Sequence, residues 1–105
     1  MAHLGLIPRK SIITGGLRAF GKTSEEALSL LKSFKQMENA GAFSVEAEVI
    51  AEKTLGFISQ NCNLITISLG SGNNGDVNYL FMDDICGENK DLPRHAFSFA
   101  KVYKE

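Results

Sequence analysis

Apolar residues recur at helical spacing in one long stretch of the chain, between Thr23 and Gly41. Thr23 and Glu26 form the S/T-x-x-E pattern that is typical of a helix N-terminus, and Gly41 can provide the left-handed residue that ends a helix. The apolar positions between them are Ala27, Leu28, Leu30, Leu31, Phe34 and Met37. This spacing predicts the first helix.

Short apolar runs lie on both sides of this helix and predict β-strands. They cover 4–7, 11–14, 42–48, 64–69 and 79–82. A second helix is predicted over 51–61, with Leu55 and Ile58 facing inward, although Gly56 weakens the pattern. A third is predicted over 94–103, because Pro93 favours a helix start. The alternation of strand and helix predicts an α/β fold with βαβ units and a parallel sheet.

The run AFSVEAE at 42–48 carries two carboxylates inside a predicted strand. Period-two alternation gives one face with Phe43, Val45 and Ala47, and another with Ala42, Ser44, Glu46 and Glu48. In a barrel, one strand face points to the lumen and the other to the helices. Glu48 lies near the C-terminal end of the strand, where barrel enzymes keep their chemistry.

Two interpretations of Glu48 follow from the pattern. It could be a general base or a metal ligand at the mouth of a barrel, or a carboxylate stabilised by the dipole of the next helix. Glu46 lies one step deeper and would need a buried partner, which the sequence does not identify. Glu52 is expected in the first turn of the second helix, where an acid is common.

Several other motifs have a structural and a functional interpretation. His3, at the start of a strand-like run, is by pattern an incidental histidine. The segment GSGNNGD at 70–76 could be a phosphate-binding nest or a glycine-rich connector, and it is neither a P-loop nor a G-x-G-x-x-G fingerprint. Asp83 and Asp84 could bind a metal, but adjacent residues point to opposite faces of a strand. Arg94 is expected to be solvated.

Composition narrows the classes of function. The chain has 105 residues, enough for one small domain, and a net charge of -1 without a basic cluster. These features give no case for nucleic acid or a membrane surface as a partner. No apolar run reaches the length of a spanning helix, and the N-terminus has no signal-peptide pattern. Cys62 and Cys86 lack metal-like spacing, which favours free thiols in a reducing cytoplasm.

A family resemblance covers nearly the whole chain in order. It is carried by HLGLIPRKS at 3–11 with GG at 15–16, and by AGAFSVEAEVI at 40–50. It continues through LGSG at 69–72 and GDVNYLF at 75–81, then DICGEN at 84–89 and PRHA at 93–96. Together these motifs resemble the ketopantoate hydroxymethyltransferase (3-methyl-2-oxobutanoate hydroxymethyltransferase) family.

The resemblance implies a TIM barrel of the phosphoenolpyruvate mutase and isocitrate lyase superfamily. It implies transfer of a one-carbon hydroxymethyl unit from methylenetetrahydrofolate to the α-keto acid 2-ketoisovalerate, with Mg²⁺ as a Lewis acid, on the route to pantothenate. The family's catalytic glutamate falls on Glu48, which becomes the expected proton acceptor. The family's histidine falls on His3, which becomes an expected substrate-binding residue. Glu46 has no catalytic counterpart.

Departures from the family pattern set the expected extent of the chain. The family's metal-binding aspartates and its substrate lysine lie upstream of HLGL, so the resemblance implies no metal ligand in this chain. A (β/α)₈ barrel needs about 250 residues. Residues 1–105 are therefore expected to form one domain, the C-terminal half of a TIM barrel with about four βα units. The family's usual proline after the glutamate is Ala51 here, which implies a looser strand-to-helix junction.

Three functional hypotheses remain open from the sequence. The first is a cytoplasmic hydroxymethyltransferase chain that needs an N-terminal half-barrel from elsewhere, or forms a homo-oligomer. The second is a non-catalytic half-barrel that associates with itself, because a half-barrel exposes two sheet edges and an apolar lumen face. The third is another carboxylate–metal lyase of the same superfamily.

Overall fold

A computed structural model of the chain describes residues 1–10, 13 and 15–102, with only the backbone of Pro8. In chain order, the described elements are β1 (Ala2–Gly5), a 3₁₀ turn (Pro8–Lys10), α1 (Ser24–Asn39), β2 (Ser44–Glu48), α2 (Glu52–Gln60), β3 (Ile65–Leu69), β4 (Val77–Asn78) and α3 (Met82–Ile85). The strands form one sheet in the order β1-β2-β3-β4, and each neighbouring pair is parallel. The predicted α/β class with a parallel sheet is confirmed.

Helix α1 begins as its sequence predicts. The Thr23 hydroxyl accepts a hydrogen bond from the Glu26 backbone N–H at 3.2 Å. The Glu26 carboxylate departs from the usual capping box, because it accepts from the Gly21 N–H at 3.0 Å and pairs with Arg18 at 2.7 Å. Glu26 therefore also fixes the segment before the helix, through Arg18 and Gly21.

The end of α1 also follows the prediction. Gly41 has φ of +97°, and its N–H donates to the Glu38 carbonyl, while the Ala42 N–H donates to the Met37 carbonyl. These two bonds are those of a Schellman motif, which satisfies carbonyls that the helix leaves free. No helix in the described residues is long and apolar enough to span a bilayer.

The hydrophobic core lies between the sheet and helices α1 and α2. Its buried members are Phe34, Val45, Ala47, Ile50, Leu55, Ile58 and Leu64. This confirms the predicted inward positions of Leu55 and Ile58, and the shared buried face of Val45 and Ala47. Phe43 was predicted on that face and is instead 70% exposed. It precedes the first residue of β2, so the pleated alternation does not yet apply to it.

The opposite face of the sheet carries the carboxylates. Alternation along β2 and β3 gives this face Glu46, Glu48 and Ile65, and Ile65 lies opposite Ser44 at 48% exposure. The register places His3 opposite Glu46 and Gly5 opposite Glu48. The predicted sharing of one face by the two glutamates is confirmed, and His3 joins them there.

The predicted helix over 94–103 is wrong for its described part, 94–102, which forms turns and irregular structure. The N–H groups of Phe99 and Ala100 donate to the carbonyl of Ile85, at 2.9 and 3.1 Å. These donors would bond the residue four positions earlier in a helix. The N–H groups of Phe99 and Ala100 thus bond the last residue of α3 in place of the carbonyls that they would bond in a helix.

The remaining predictions concern the two ends of the sheet. Three of the four residues of the predicted strand 11–14 lie outside the described residues. The segment 70–76 connects β3 to the two-residue β4 without a helix, in agreement with the connector interpretation. The apolar run 79–82 is irregular up to the start of α3, so Asp83 and Asp84 lie in a one-turn helix, not in a strand.

Candidate carboxylate–imidazole site

The two predicted site residues meet at the sheet surface. Nε2 of His3 lies 2.6 Å from Oε2 of Glu48, although 45 positions separate them in the chain. Strand β1 pairs with β2 in parallel and places His3 opposite Glu46, so His3 reaches Glu48 diagonally on the same sheet face. The side chains are 41% exposed for His3 and 18% exposed for Glu48. The site is therefore open to a ligand on the imidazole side.

This arrangement can hold a proton in a defined place. A short contact between an imidazole nitrogen and a carboxylate oxygen is a strong hydrogen bond when either group is charged. His3 engages Oε2 of Glu48, and the other carboxylate oxygen makes no hydrogen bond with the residues that the structure describes. The pair can therefore orient one carboxylate oxygen while the second accepts a proton.

The backbone around Glu48 is held from three sides. The Leu6 N–H donates to the Glu48 carbonyl at 2.8 Å, and the Val49 N–H donates to the Leu69 carbonyl at 2.9 Å. The Phe20 N–H donates to the Val49 carbonyl at 3.0 Å. The end of β2 is therefore fixed by bonds from beyond β1, from the end of β3 and from the segment before α1.

Gly5 lets β1 approach this point. Its φ is +101°, and a side-chain carbon added there would overlap the carbonyl oxygen of Glu48. Glycine is the residue that tolerates both conditions. Gly5 is visible in the sequence only as part of HLGL, because its closeness to Glu48 depends on a pairing between distant strands.

Ser71 is the second residue that the sequence analysis missed. It is 1% exposed, its hydroxyl donates to the Ala47 carbonyl at 2.7 Å, and it accepts from the Ile50 N–H at 2.8 Å. A serine between Gly70 and Gly72 gives no local signal for these bonds, because its partners lie 21 and 24 positions earlier in the chain.

Two of the quoted motifs meet in a neighbouring cavity of about 370 Å³. GSGNNGD contributes Gly70, Gly72 and Asn73, and PRHA contributes Arg94, which is exposed as predicted, and His95. Glu52 also lines the cavity and lies in the first turn of α2, as predicted. Its Oε1 accepts from the Asn73 N–H at 3.0 Å, which ties α2 to the connector.

A metal would need further ligands. Across residues 1–10, 13 and 15–102, no cluster of three or more His, Cys, Asp or Glu side chains is arranged to hold a metal ion. Cys62 and Cys86 are free thiols. The described residues do not by themselves fit a Mg²⁺ site.

The fold and the site define a class of protein before any comparison. A parallel α/β sheet with a carboxylate at the carboxyl end of one strand, held by an imidazole of the neighbouring strand, is typical of enzymes that bind small molecules at that edge. The sequence model described as ketopantoate hydroxymethyltransferase matches residues 1–105. The chain belongs to the ketopantoate hydroxymethyltransferase family.

Curated relatives agree with this assignment. The chain is 36% identical over 105 residues to a 3-methyl-2-oxobutanoate hydroxymethyltransferase of Cenarchaeum symbiosum. The matched region covers 100% of this chain and 39% of that relative. A protein of the same name from Pseudothermotoga lettingae is 35% identical, over 99% of this chain and 40% of that relative. One from Pyrobaculum islandicum is 34% identical, over 100% of this chain and 39% of that relative. The chain thus spans about two fifths of the length of these relatives.

Proposed function

We propose that this chain supplies the proton-accepting part of a 3-methyl-2-oxobutanoate hydroxymethyltransferase. The reaction would transfer a hydroxymethyl unit from methylenetetrahydrofolate to 2-ketoisovalerate and give ketopantoate for pantothenate biosynthesis. The observation that carries the proposal is the 2.6 Å contact between His3 and Glu48, the last residue of β2 in a parallel sheet. The names of the relatives support the reaction class.

The proposed chemistry starts at C3 of the keto acid. Glu48, held by His3 through Oε2, takes the C3 proton on its other carboxylate oxygen. The electrons of the broken C–H bond pass into the enolate of the keto acid. The enolate carbon then forms a C–C bond with the one-carbon unit of the donor, and the two bonds from that carbon to the tetrahydrofolate nitrogens break. A water molecule supplies the hydroxyl group, and tetrahydrofolate leaves with one proton from that water and the proton that Glu48 took. Placement of Glu48 governs the first step, because a general base must lie within hydrogen-bond reach of the proton it removes.

The remaining parts of the reaction need residues other than the described ones. Mg²⁺ is expected from the family, and the described residues do not fit it alone. We infer that an N-terminal half-barrel provides its ligands and completes the sheet on the open side of β1. The half-barrel architecture over residues 1–105, a homo-oligomer and a cytoplasmic location remain predictions.

The alternatives make different predictions for the same chain. A chain that only self-associates would form an oligomer without binding the keto acid. A lyase of the same superfamily would differ in its substrate preference.

A chimera tests the proposal. Residues 1–105 would replace the matching part of the Cenarchaeum symbiosum relative, and ketopantoate formation would be measured with 2-ketoisovalerate, methylenetetrahydrofolate and Mg²⁺. We expect product from the chimera and a loss of about 10²- to 10⁴-fold in Glu48→Gln, the range for removal of a general base. A folded chimera without activity, beside an active parent, would favour the non-catalytic alternative.

A further inference from the structure

We propose that Ser71 is a positioning residue for Glu48: its hydroxyl holds the turn that aims the carboxylate at His3. The proposal deepens the function proposed above and rests on it for its catalytic consequence. Its structural part concerns the turn alone and can be tested without turnover. Ser71 acts through Glu48 and is not assigned any contact with substrate.

The hydroxyl of Ser71 bridges the two residues that flank the turn. It donates to the carbonyl of Ala47, before Glu48, and accepts from the N–H of Ile50, after Val49. The distances are 2.7 and 2.8 Å, within the ordinary range for such bonds. One buried side chain therefore fixes the separation of the two ends of the turn.

The turn between these ends is strained. Val49 has φ of +50°, the only positive φ found at a non-glycine residue in the described part of the chain. A β-branched residue in the left-handed region is an outlier, and such a conformation persists only where the surroundings over-determine it. Ser71 supplies two of the bonds that do so. The others come from Leu69 and Phe20.

The strained turn controls where the carboxylate points. Glu48 is the last residue of β2, and Val49 follows it directly. A change of φ at Val49 would rotate the chain at the end of the strand and loosen the pairing that brings Glu48 to His3. Displacement of a reacting group by about 1 Å can cost about 10²-fold in rate. The strain at Val49 thus has a functional interpretation that packing alone does not provide.

The test compares two variants that each remove a buried hydroxyl. Ser71→Ala removes the bridge, and Ser71→Cys keeps the side-chain shape with a weaker hydrogen-bonding group. Thr66→Val is the matched control, because Thr66 is also fully buried and its hydroxyl bonds Asp76 and not the turn. All are made in the 105-residue chain and, for turnover, in the chimera.

Nuclear magnetic resonance reads the turn directly. The strong HN–Hα Overhauser effect within Val49 reports its positive φ, and the effect between the His3 ring and the Glu48 side chain reports their contact. We expect both to weaken in Ser71→Ala, to weaken less in Ser71→Cys, and to remain in Thr66→Val. Hydrogen exchange of the Ile50 amide is expected to accelerate in the Ser71 variants only.

Turnover of the chimera separates positioning from stability. We expect Ser71→Ala to lower kcat by about 10- to 100-fold with little change in KM for the keto acid, while Thr66→Val keeps kcat near the unmodified value. Unchanged Val49 and His3–Glu48 signals in Ser71→Ala would overturn the proposal. If the unmodified chimera makes no ketopantoate, the proposed function fails while the spectroscopic comparison still decides the role of Ser71.

Discussion

Glu48 is a polar residue at the end of a mostly buried strand, and its side chain has a partner. The contact with His3 places the carboxylate on the face opposite the core. Glu46 lies on the same face, opposite His3 in the register, but no hydrogen bond joins it to another described residue. Of the two glutamates in β2, only Glu48 therefore has a side-chain hydrogen bond to another described residue.

Replacing His3 tests the pair. We expect His3→Ala to lower the rate of ketopantoate formation by the chimera by about 10- to 100-fold, because Glu48 loses the bond that orients it. His3→Gln keeps a side-chain donor and should recover part of the rate. Steady-state kinetics of both variants measure the difference. Equal rates for His3→Ala and the unmodified chimera would refute an orienting role for His3.

Gly5 allows a prediction about stability. Gly5→Ala would place a side-chain carbon against the Glu48 carbonyl at φ of +101°, and we expect a loss of about 2 to 4 kcal/mol in the free energy of unfolding. Gly41→Ala is the matched control, since Gly41 has φ of +97° and nothing within 4 Å. Denaturant unfolding measures both. Equal losses would show that the contact with Glu48 contributes nothing beyond backbone strain.

The sequence predicted both members of the site and not their contact. Glu48 followed from strand alternation and the family resemblance, and His3 followed from the resemblance alone. Their pairing depends on the register of β1 against β2, which joins residues far apart in the chain. Gly5 and Ser71 were missed for the same reason, because each acts on backbone of a different strand.

At the scale of elements, the start of α1 is stabilised by charge. The hydrogen bond from Arg18 holds the pKa of Glu26 below its ordinary value of 4.5, although partial desolvation opposes this shift. Because the pKa of Glu26 is lower in the folded protein than in the unfolded chain, ionised Glu26 stabilises the folded state. This stabilisation is fully present at pH values above the ordinary pKa. That stabilisation is lost as pH falls from 4.5 through the lower pKa of the folded state.

Glu26→Gln should therefore change the pH dependence of unfolding. We expect the variant to be less stable than the unmodified chain near neutral pH, and its stability to fall less steeply below pH 4.5. Thermal unfolding across this pH range measures the difference. Glu25→Gln removes the same charge from the same turn, and an identical profile for both variants would contradict a specific role of the Glu26 bonds.

Helix α1 was predicted correctly because the residues that determine it lie within its own segment. The cap, the apolar spacing and the terminal glycine of α1 all lie within its own segment, and the structure follows them. The helix over 94–103 failed because its donors bond the end of α3, which no local pattern reveals. The exposure of Phe43 likewise depended on where β2 begins.

At the scale of the whole molecule, the described residues leave one sheet face uncovered and contain no cluster of side chains that fits a metal ion. We expect the isolated chain to gain no thermal stability from Mg²⁺ or 2-ketoisovalerate, because the described residues hold no group that fits the metal. Light scattering with and without both ligands should give the same mass. A ligand-dependent change that Glu48→Gln abolishes would show that a working pocket exists in the isolated chain.

Whether the sheet continues beyond β1 into a barrel was beyond prediction from local patterns. The apolar runs predicted a parallel sheet, but β4 lies outside the predicted run 79–82, and no run describes the edge of β1. The comparison with longer relatives gives the family and the share of their length. Half-barrel closure remains a prediction.

The most direct test of the central claim is exchange of the C3 proton of 2-ketoisovalerate for deuterium by the chimera in D₂O, because this step isolates the base from one-carbon transfer. Glu48→Gln and Glu46→Gln make the same change two positions apart on one strand face. We predict a loss of about 10²- to 10⁴-fold in exchange for Glu48→Gln and a near-normal rate for Glu46→Gln. Equal rates in the two variants, or a larger loss in Glu46→Gln, would contradict the assignment of Glu48 as the proton acceptor.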